Sequence, residues 1–159
     1  MVTYRIDTTT LREVPQDVGA TWEHVERLEA GGEAGDGGPA VPSGAWRPML
    51  RLSHVLHWRG RLDDADRLVD AVRRAAGAAH DAPGAGEAVR RDCASVLAFA
   101  DQGQGRARYD AGRYAEAEAL FASALDRRTR EGAPSDQVES SRISLAAARA
   151  RRAEGAATL

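Results

Sequence analysis

The chain has 159 residues, of which 43% are hydrophobic and 29% charged, a balance typical of one compact globular domain. Its 22 basic and 24 acidic residues leave a net charge of -2, which argues against a protein that binds nucleic acid through bulk positive charge. A single cysteine, Cys93, excludes an internal disulfide and a zinc site built from several cysteines.

The choice of residue types favours helices. Every basic residue is Arg, Lys and Asn are absent, and Ala is very frequent, as is typical of genes with a high GC content. Ala and Arg are strong helix formers and β-branched residues are few, so we expect an all-α fold. The apolar runs are too short for a transmembrane helix and the N-terminus has no signal-peptide pattern, so we expect a cytoplasmic protein without a membrane partner.

Residues 1–45 are expected to form an acidic N-terminal arm. The alternating residues 2–6 predict an extended stretch, but we identify no partner strand for it and expect no sheet. Apolar positions at helical spacing predict a helix over about 15–30, and the Gly- and Pro-rich segment 31–44 predicts a flexible linker. The arm holds three Arg and eight acidic residues, whereas residues 46–159 hold 19 Arg and 16 acidic residues. The acidic arm could therefore fold back onto the body or sit in a partner.

The body, residues 46–159, predicts five helices in antiparallel hairpins. Helical spacing of apolar residues predicts the first over about 46–59, and the second follows the turn at Gly60. The segment 77–86 is interpreted as a break. A longer helix is predicted over about 87–111, a fourth follows Gly112, and a last helix is predicted over about 135–152. Short loops between helices favour antiparallel neighbours.

Two segments of the body are similar to each other. GRLDDADRLV at 60–69 aligns with GRYAEAEALF at 112–121. The shared order is Gly, Arg, a bulky residue, two small or acidic residues, Ala, two spacers and two apolar residues. Glycine can turn the chain between two helices, and the small Ala lets those helices approach closely. A hairpin of this kind must stack on its neighbours to bury its apolar face.

The second copy, GRYAEAEALFASAL at 112–125, resembles the tetratricopeptide repeat. Tyr114 matches the bulky turn position, Ala117 and Ala124 the two small positions, and Phe121 the aromatic position. The resemblance implies a short stack of helical hairpins, with repeats over about 46–79 and 87–131 and a terminal capping helix over about 135–152. The chain departs from the family pattern at Asp101 and Gln104, which replace two apolar residues.

The resemblance also implies a groove lined by the first helix of each repeat, suited to a peptide or helix of a partner protein. By the family's groove positions, the lining residues are Arg47, Leu50, His54, His57, Trp58, Phe99, Gln102, Arg106, Tyr109 and Asp110. The strip is aromatic and partly basic. The chaperone-binding members of the family use a clamp of Lys and Asn, which this chain lacks, so that activity is not expected.

The sequence therefore favours a non-enzymatic protein-interaction module, a scaffold or regulator, with no cofactor and no metal. A second interpretation is an enzymatic or small-molecule pocket around His54 and His57, which lie three residues apart on one helix. A third is the sensor part of a transcriptional regulator that acts with another chain. Because only two repeats are recognisable, end-to-end homodimerisation would complete the stack.

Overall fold

The computed structural model describes residues 4–6, 13–15 and 41–157. Strands β1 (Tyr4–Ile6) and β2 (Glu13–Pro15) pair antiparallel, with Tyr4 opposite Pro15. The expectation that the first stretch has no partner strand is therefore wrong. The partner is only three residues long and ends in proline, which is uncommon in strands, so the sequence does not mark it. Apart from residue 15, the helix predicted over 15–30 lies outside the described residues, as does most of the linker.

Residues 41–157 contain helices and no strand, so the all-α prediction is confirmed for this part of the chain. Its five helices are α1 (Ser43–Trp58), α2 (Leu62–Asp81), α3 (Glu87–Asp110), α4 (Tyr114–Arg130) and α5 (Ser135–Ala157). Each helix packs on the one before it. In addition, α3 contacts both α1 and α5, so the third helix touches all four others.

Three helix boundaries differ from the predictions. Helix α1 begins inside the predicted linker, and α5 continues past 152 to Ala157. Helix α2 runs through Gly77 to Asp81, so the break predicted from 77 begins only at Ala82. Gly77 has alanines on both sides, and one glycine costs a helix about 1 kcal/mol relative to Ala without ending it.

The two aligned turns have the same backbone structure. Gly60 and Gly112 adopt positive φ angles of 76° and 73°. The N–H of Gly60 donates to the carbonyl of His57, and the next N–H donates to the carbonyl of Leu56. The N–H groups of Gly112 and Arg113 make the equivalent bonds to the carbonyls of Tyr109 and Arg108. Both helices therefore end in a Schellman motif, which requires a left-handed residue. The alignment of the two glycines therefore marks two equivalent turns.

The side-chain contacts beside the two turns are repeated as well. Arg61 Nε donates to Asp64 at 2.8 Å, and Arg113 Nε donates to Glu116 at 2.6 Å, three residues onward in each copy. The alanines of the two copies, Ala65 and Ala117, are both buried. The sequence similarity thus corresponds to a repeated local structure at the start of α2 and of α4.

The apolar core of residues 41–157 forms three clusters, the smallest of which is Leu52, Leu56 and Ala65 between α1 and α2. The largest cluster joins α1, α2 and the first half of α3; its buried members are Trp46, Met49, Leu50, Val69, Val72, Ala76, Cys93, Val96, Leu97 and Ala100. The second joins α4 to α5 through Ala117, Phe121, Leu145 and Ala148, with Tyr109 of α3 packed against it. Stability therefore depends on stacking of the hairpins as well as on each hairpin alone.

Between these clusters, α3 crosses the interior as the uninterrupted polar and glycine segment Asp101–Arg106. All six residues are buried. Asp101 accepts hydrogen bonds from Arg73 of α2 and Ser123 of α4, both at 2.7 Å, and Arg127 Nε lies 3.4 Å from the same carboxylate. These contacts supply the partners that a buried carboxylate requires, since an unpaired charge in the interior is costly.

The same segment connects α3 to α5 and α2 through amides. The Gln102 amide donates to Ser144 Oγ at 2.9 Å and accepts from the Ser141 hydroxyl at 2.8 Å. Gln104 donates to Asp66 at 3.1 Å, and Arg108 donates to the same carboxylate at 2.8 Å. Burial would raise the pKa of Asp66, but the hydrogen bonds from Arg108 and Gln104 outweigh it and hold that pKa below its ordinary value.

Close approach of α3 and α4 depends on Gly105. A Cβ at this position would lie 2.6 Å from Cε1 of Phe121, whose side chain is fully buried. Gly77 in α2 has open space where its Cβ would be. The two glycines therefore provide a matched pair, one required by packing and one not.

We predict that Gly105→Ala lowers the free energy of unfolding by about 1–2 kcal/mol, because the overpacking cost exceeds the gain in helix propensity. Gly77→Ala should raise it by about 0.5–1 kcal/mol. Urea unfolding monitored by circular dichroism measures both. Equal effects of the two substitutions would contradict the packing role of Gly105.

We also predict that Asp101→Ala lowers the free energy of unfolding by about 1–3 kcal/mol, because it leaves Arg73 and Ser123 without a shared acceptor. Asp126→Ala, which removes an exposed ion pair with Arg130, should change it by no more than about 0.5 kcal/mol. The comparison uses the same urea unfolding experiment. A loss for Asp101→Ala as small as that of the control would show that the buried network contributes nothing.

Candidate functional site

Two of the predicted groove residues lie in the interior. Leu50 has no exposed surface and belongs to the apolar core, and Gln102 is 1% exposed and bonded to α5. Neither side chain can contact a partner, so both assignments are corrected to structural roles. Family spacing could not reveal this, because the side of α3 that carries Gln102 is covered by α5.

The structure brings other predicted residues together along the line where α1 meets α3. The rings of His54 and Phe99 lie 5.3 Å apart at 54°. The His54 ring rests directly on the backbone of Gly103, where a Cβ would lie 2.2 Å from its Nε2 atom. The absence of a side chain at Gly103 thus leaves the space that the His54 ring occupies. The groove pattern did not include this role, although a spacing of four residues places Gly103 and Phe99 on one helix face.

One helical turn further along α1, His57 Nε2 lies 3.5 Å from a carboxylate oxygen of Asp110 at the end of α3. The two side chains are only 10% and 13% exposed. We call the five residues His54, His57, Phe99, Gly103 and Asp110 the histidine seam. It joins the two helices by one aromatic contact and one histidine–carboxylate contact.

Three more of the predicted residues lie on the same two helices as the seam. Trp58 follows His57 on α1 and is half-buried. Tyr109 precedes Asp110 on α3, is also half-buried, and packs edge-on against Tyr114 with ring centroids 5.3 Å apart. Arg106 is 7% exposed, so its side chain lies mainly within the protein. Near the seam, the partly exposed side chains of the predicted strip are therefore aromatic rings and imidazoles, while the exposed guanidinium of Arg47 lies elsewhere.

Arg47 lies in a different place. Its guanidinium donates to Asp92 of α3 at 2.7 Å, and it lines a cleft of about 420 Å³. The other lining residues are Ala88, Arg91, Asp92, Ala94, Ser95, Ala98, Arg127, Arg128, Glu131, Gly132, Ala133, Pro134 and Gln137. We call this the arginine cleft. The sequence did not indicate it, because its walls come from α1, α3, α4 and α5, and nothing in the chain shows which residues of these separate helices meet.

Neither seam histidine lines the arginine cleft. In residues 41–157 together with the two strands, no group of three or more His, Cys, Asp or Glu side chains is arranged to hold a metal ion. The structure therefore gives His57 one acidic neighbour, Asp110, and places the arginine cleft elsewhere.

Cys93 is a core residue, as expected from its position on the apolar face of its helix. It is 1% exposed and packs within the larger apolar cluster. Burial, together with the nearby charge of Asp92, raises the pKa of its thiol. A high pKa and lack of access both oppose reactivity.

Comparison of the chain with models of protein families, with characterised proteins and with solved structures gave no match. Among the described helices, none combines the length and apolar character that a bilayer crossing requires. The evidence for a function therefore lies in the geometry of the seam and the cleft.

We predict that Cys93 does not react with a thiol-specific disulfide reagent in native buffer within the time that denatured protein needs for complete labelling. Labelling should accelerate in urea in parallel with the loss of helical circular dichroism. Rapid and complete labelling of the native protein would contradict the buried position of the thiol.

Proposed function

We propose that the protein is a non-enzymatic protein-interaction module whose helices form a short superhelix of the tetratricopeptide type. Support comes from the two equivalent turns at Gly60 and Gly112, with their repeated Schellman motifs, arginine–acid contacts and buried alanines. In this proposal α1 and α3 are the first helices of two successive repeats, and α5 caps the stack. Their common inner side forms the binding surface.

The observation that carries the proposal is the pair of half-buried rings at the histidine seam, His54 and Phe99, which lie 5.3 Å apart on neighbouring helices. Trp58, one turn beyond His54 on α1, is also half-buried, whereas Tyr109 packs toward α4 and α5. Aromatic side chains give a large contact area at low cost in conformational entropy, and they are enriched at protein interfaces. The proposed ligand is a peptide or helix of another protein whose apolar side chains cover these rings.

The second candidate function, an enzymatic or small-molecule site at the histidines, has one supporting observation. Asp110 lies beside His57, and a carboxylate can orient an imidazole for acid–base chemistry. Against it, neither histidine lines the arginine cleft, which has room for a small ligand. The half-buried rings at the seam therefore favour partner binding.

We predict that the double variant His54→Ala/Trp58→Ala loses most of its partner binding, because it removes two rings of the proposed surface. The partner is first captured from a lysate with the wild-type protein and then purified. Its affinity for each variant is measured by calorimetry, and we expect a loss of at least about tenfold.

The matched control is Arg74→Ala/His80→Ala on α2, which also replaces one histidine and one large side chain. It should bind like the wild type. Gly103→Ala is an additional variant, because its methyl group must displace the His54 ring while every groove side chain is kept. Equal affinity of the wild type and the double variant, with circular dichroism showing intact helices, would exclude the seam as the binding surface.

A further inference from the structure

The arginine cleft lies at the beginning of two long helices. Ala88 and Arg91 belong to the first two turns of α3, and Gln137 belongs to the first turn of α5. The first N–H groups of a helix have no partner within it, and they give this end a partial positive charge. Both helix starts therefore favour negative charge, which Glu87 and Asp136 in the first turns already supply in part.

Four arginines and two acidic residues line the cleft. Two further carboxylates, Glu87 and Asp101, pair with arginines of the lining, so the distinctive feature of the cleft is its number of guanidinium donors rather than a net charge. The side chains of Arg47, Arg91 and Arg127 are 44%, 62% and 35% exposed, so their guanidinium groups remain accessible to a ligand. Each of them makes an ion pair within the protein through one nitrogen, with Asp92, Glu87 and Asp101 respectively. A guanidinium has five N–H donors, so donors remain for a ligand.

The fourth arginine, Arg128, stabilises the shape of the cleft. Arg128 is 6% exposed, and its Nη1 donates to the Gln137 carbonyl at 2.8 Å and to Ser141 Oγ at 2.9 Å. These bonds tie the last turn of α4 to the first turns of α5. Between the charged groups the walls are formed mainly by alanines and Pro134, whose small side chains leave room for a ligand.

We propose that the arginine cleft binds a phosphate monoester group. At neutral pH such a group carries a charge of about -1.5 to -2 and has three strong acceptor oxygens. The three oxygens match the three accessible guanidinium groups, whose hydrogen bonds to phosphate oxygens are charge-assisted. A carboxylate has one charge and two oxygens, so it satisfies the cleft less completely.

The phosphate belongs to a small phosphate ester or to a phosphoserine of a peptide, since both present the same group. The volume of about 420 Å³ exceeds that of the phosphate alone, so part of the molecule that carries it also fits. The cleft is lined by none of the seam residues, so this proposal is independent of the proposed partner binding.

The test is a calorimetric titration of the full chain at constant ionic strength. The probes are inorganic phosphate, a short phosphoserine peptide, the same peptide without phosphate, and acetate. Two exposed arginines that are neighbours on α3 provide the variants: Arg91 lines the cleft and Arg90 does not. Arg91→Gln and Arg90→Gln change the net charge equally, and circular dichroism verifies that both remain folded.

We expect saturable binding at one site by inorganic phosphate, by the phosphoserine peptide or by both. Arg91→Gln should weaken it about tenfold and Arg90→Gln less than about twofold, because only the first removes a charge-assisted hydrogen bond. Tighter binding of the phosphopeptide than of inorganic phosphate identifies a peptide source, and equal binding identifies the phosphate group alone. Absence of saturation, equal effects of the two variants, or acetate binding as tight as phosphate binding would overturn the proposal.

Discussion

The structure depends on one constraint: the middle of α3 is buried although it contains no large apolar side chain. Asp101–Arg106 passes between the pair α1 and α2 on one side and the pair α4 and α5 on the other. Each polar group there needs a partner, and each glycine allows a neighbour to approach. Polar groups taken from water without compensation destabilise a fold. Here the partners come from α2, α4 and α5, so the contacts that satisfy α3 also fix the positions of those helices.

This arrangement combines two kinds of interaction that act differently. Apolar contacts stabilise the hairpins in proportion to the area they bury, and they tolerate some variation in geometry. The network around Asp101 and Gln102 requires particular distances and directions, because hydrogen bonds weaken steeply when misaligned. The apolar clusters therefore drive the stacking of the hairpins, and the polar middle of α3 selects the register in which they stack.

Both proposed surfaces follow from the position of this one helix. The second half of α3 supplies Phe99, Gly103 and Asp110 to the histidine seam, and the first half supplies Arg91 and Asp92 to the arginine cleft. The seam contains two aromatic rings, and the cleft contains several guanidinium groups. Because no residue of the seam lines the cleft, the two proposals can be tested separately.

The sequence by itself determined the helices, and its two similar segments determined the equivalent turns at Gly60 and Gly112. These features are local: helical spacing, alanine content and a glycine at a left-handed position act within a few residues. Only the tertiary structure decided which polar residues are buried and which side of α3 is covered. Gln102 and Leu50 match groove positions in the pattern, yet α5 covers the first and the apolar core encloses the second. The arginine cleft likewise gathers residues from four helices, and contacts between residues so distant in sequence leave no spacing that a reading of the chain could detect.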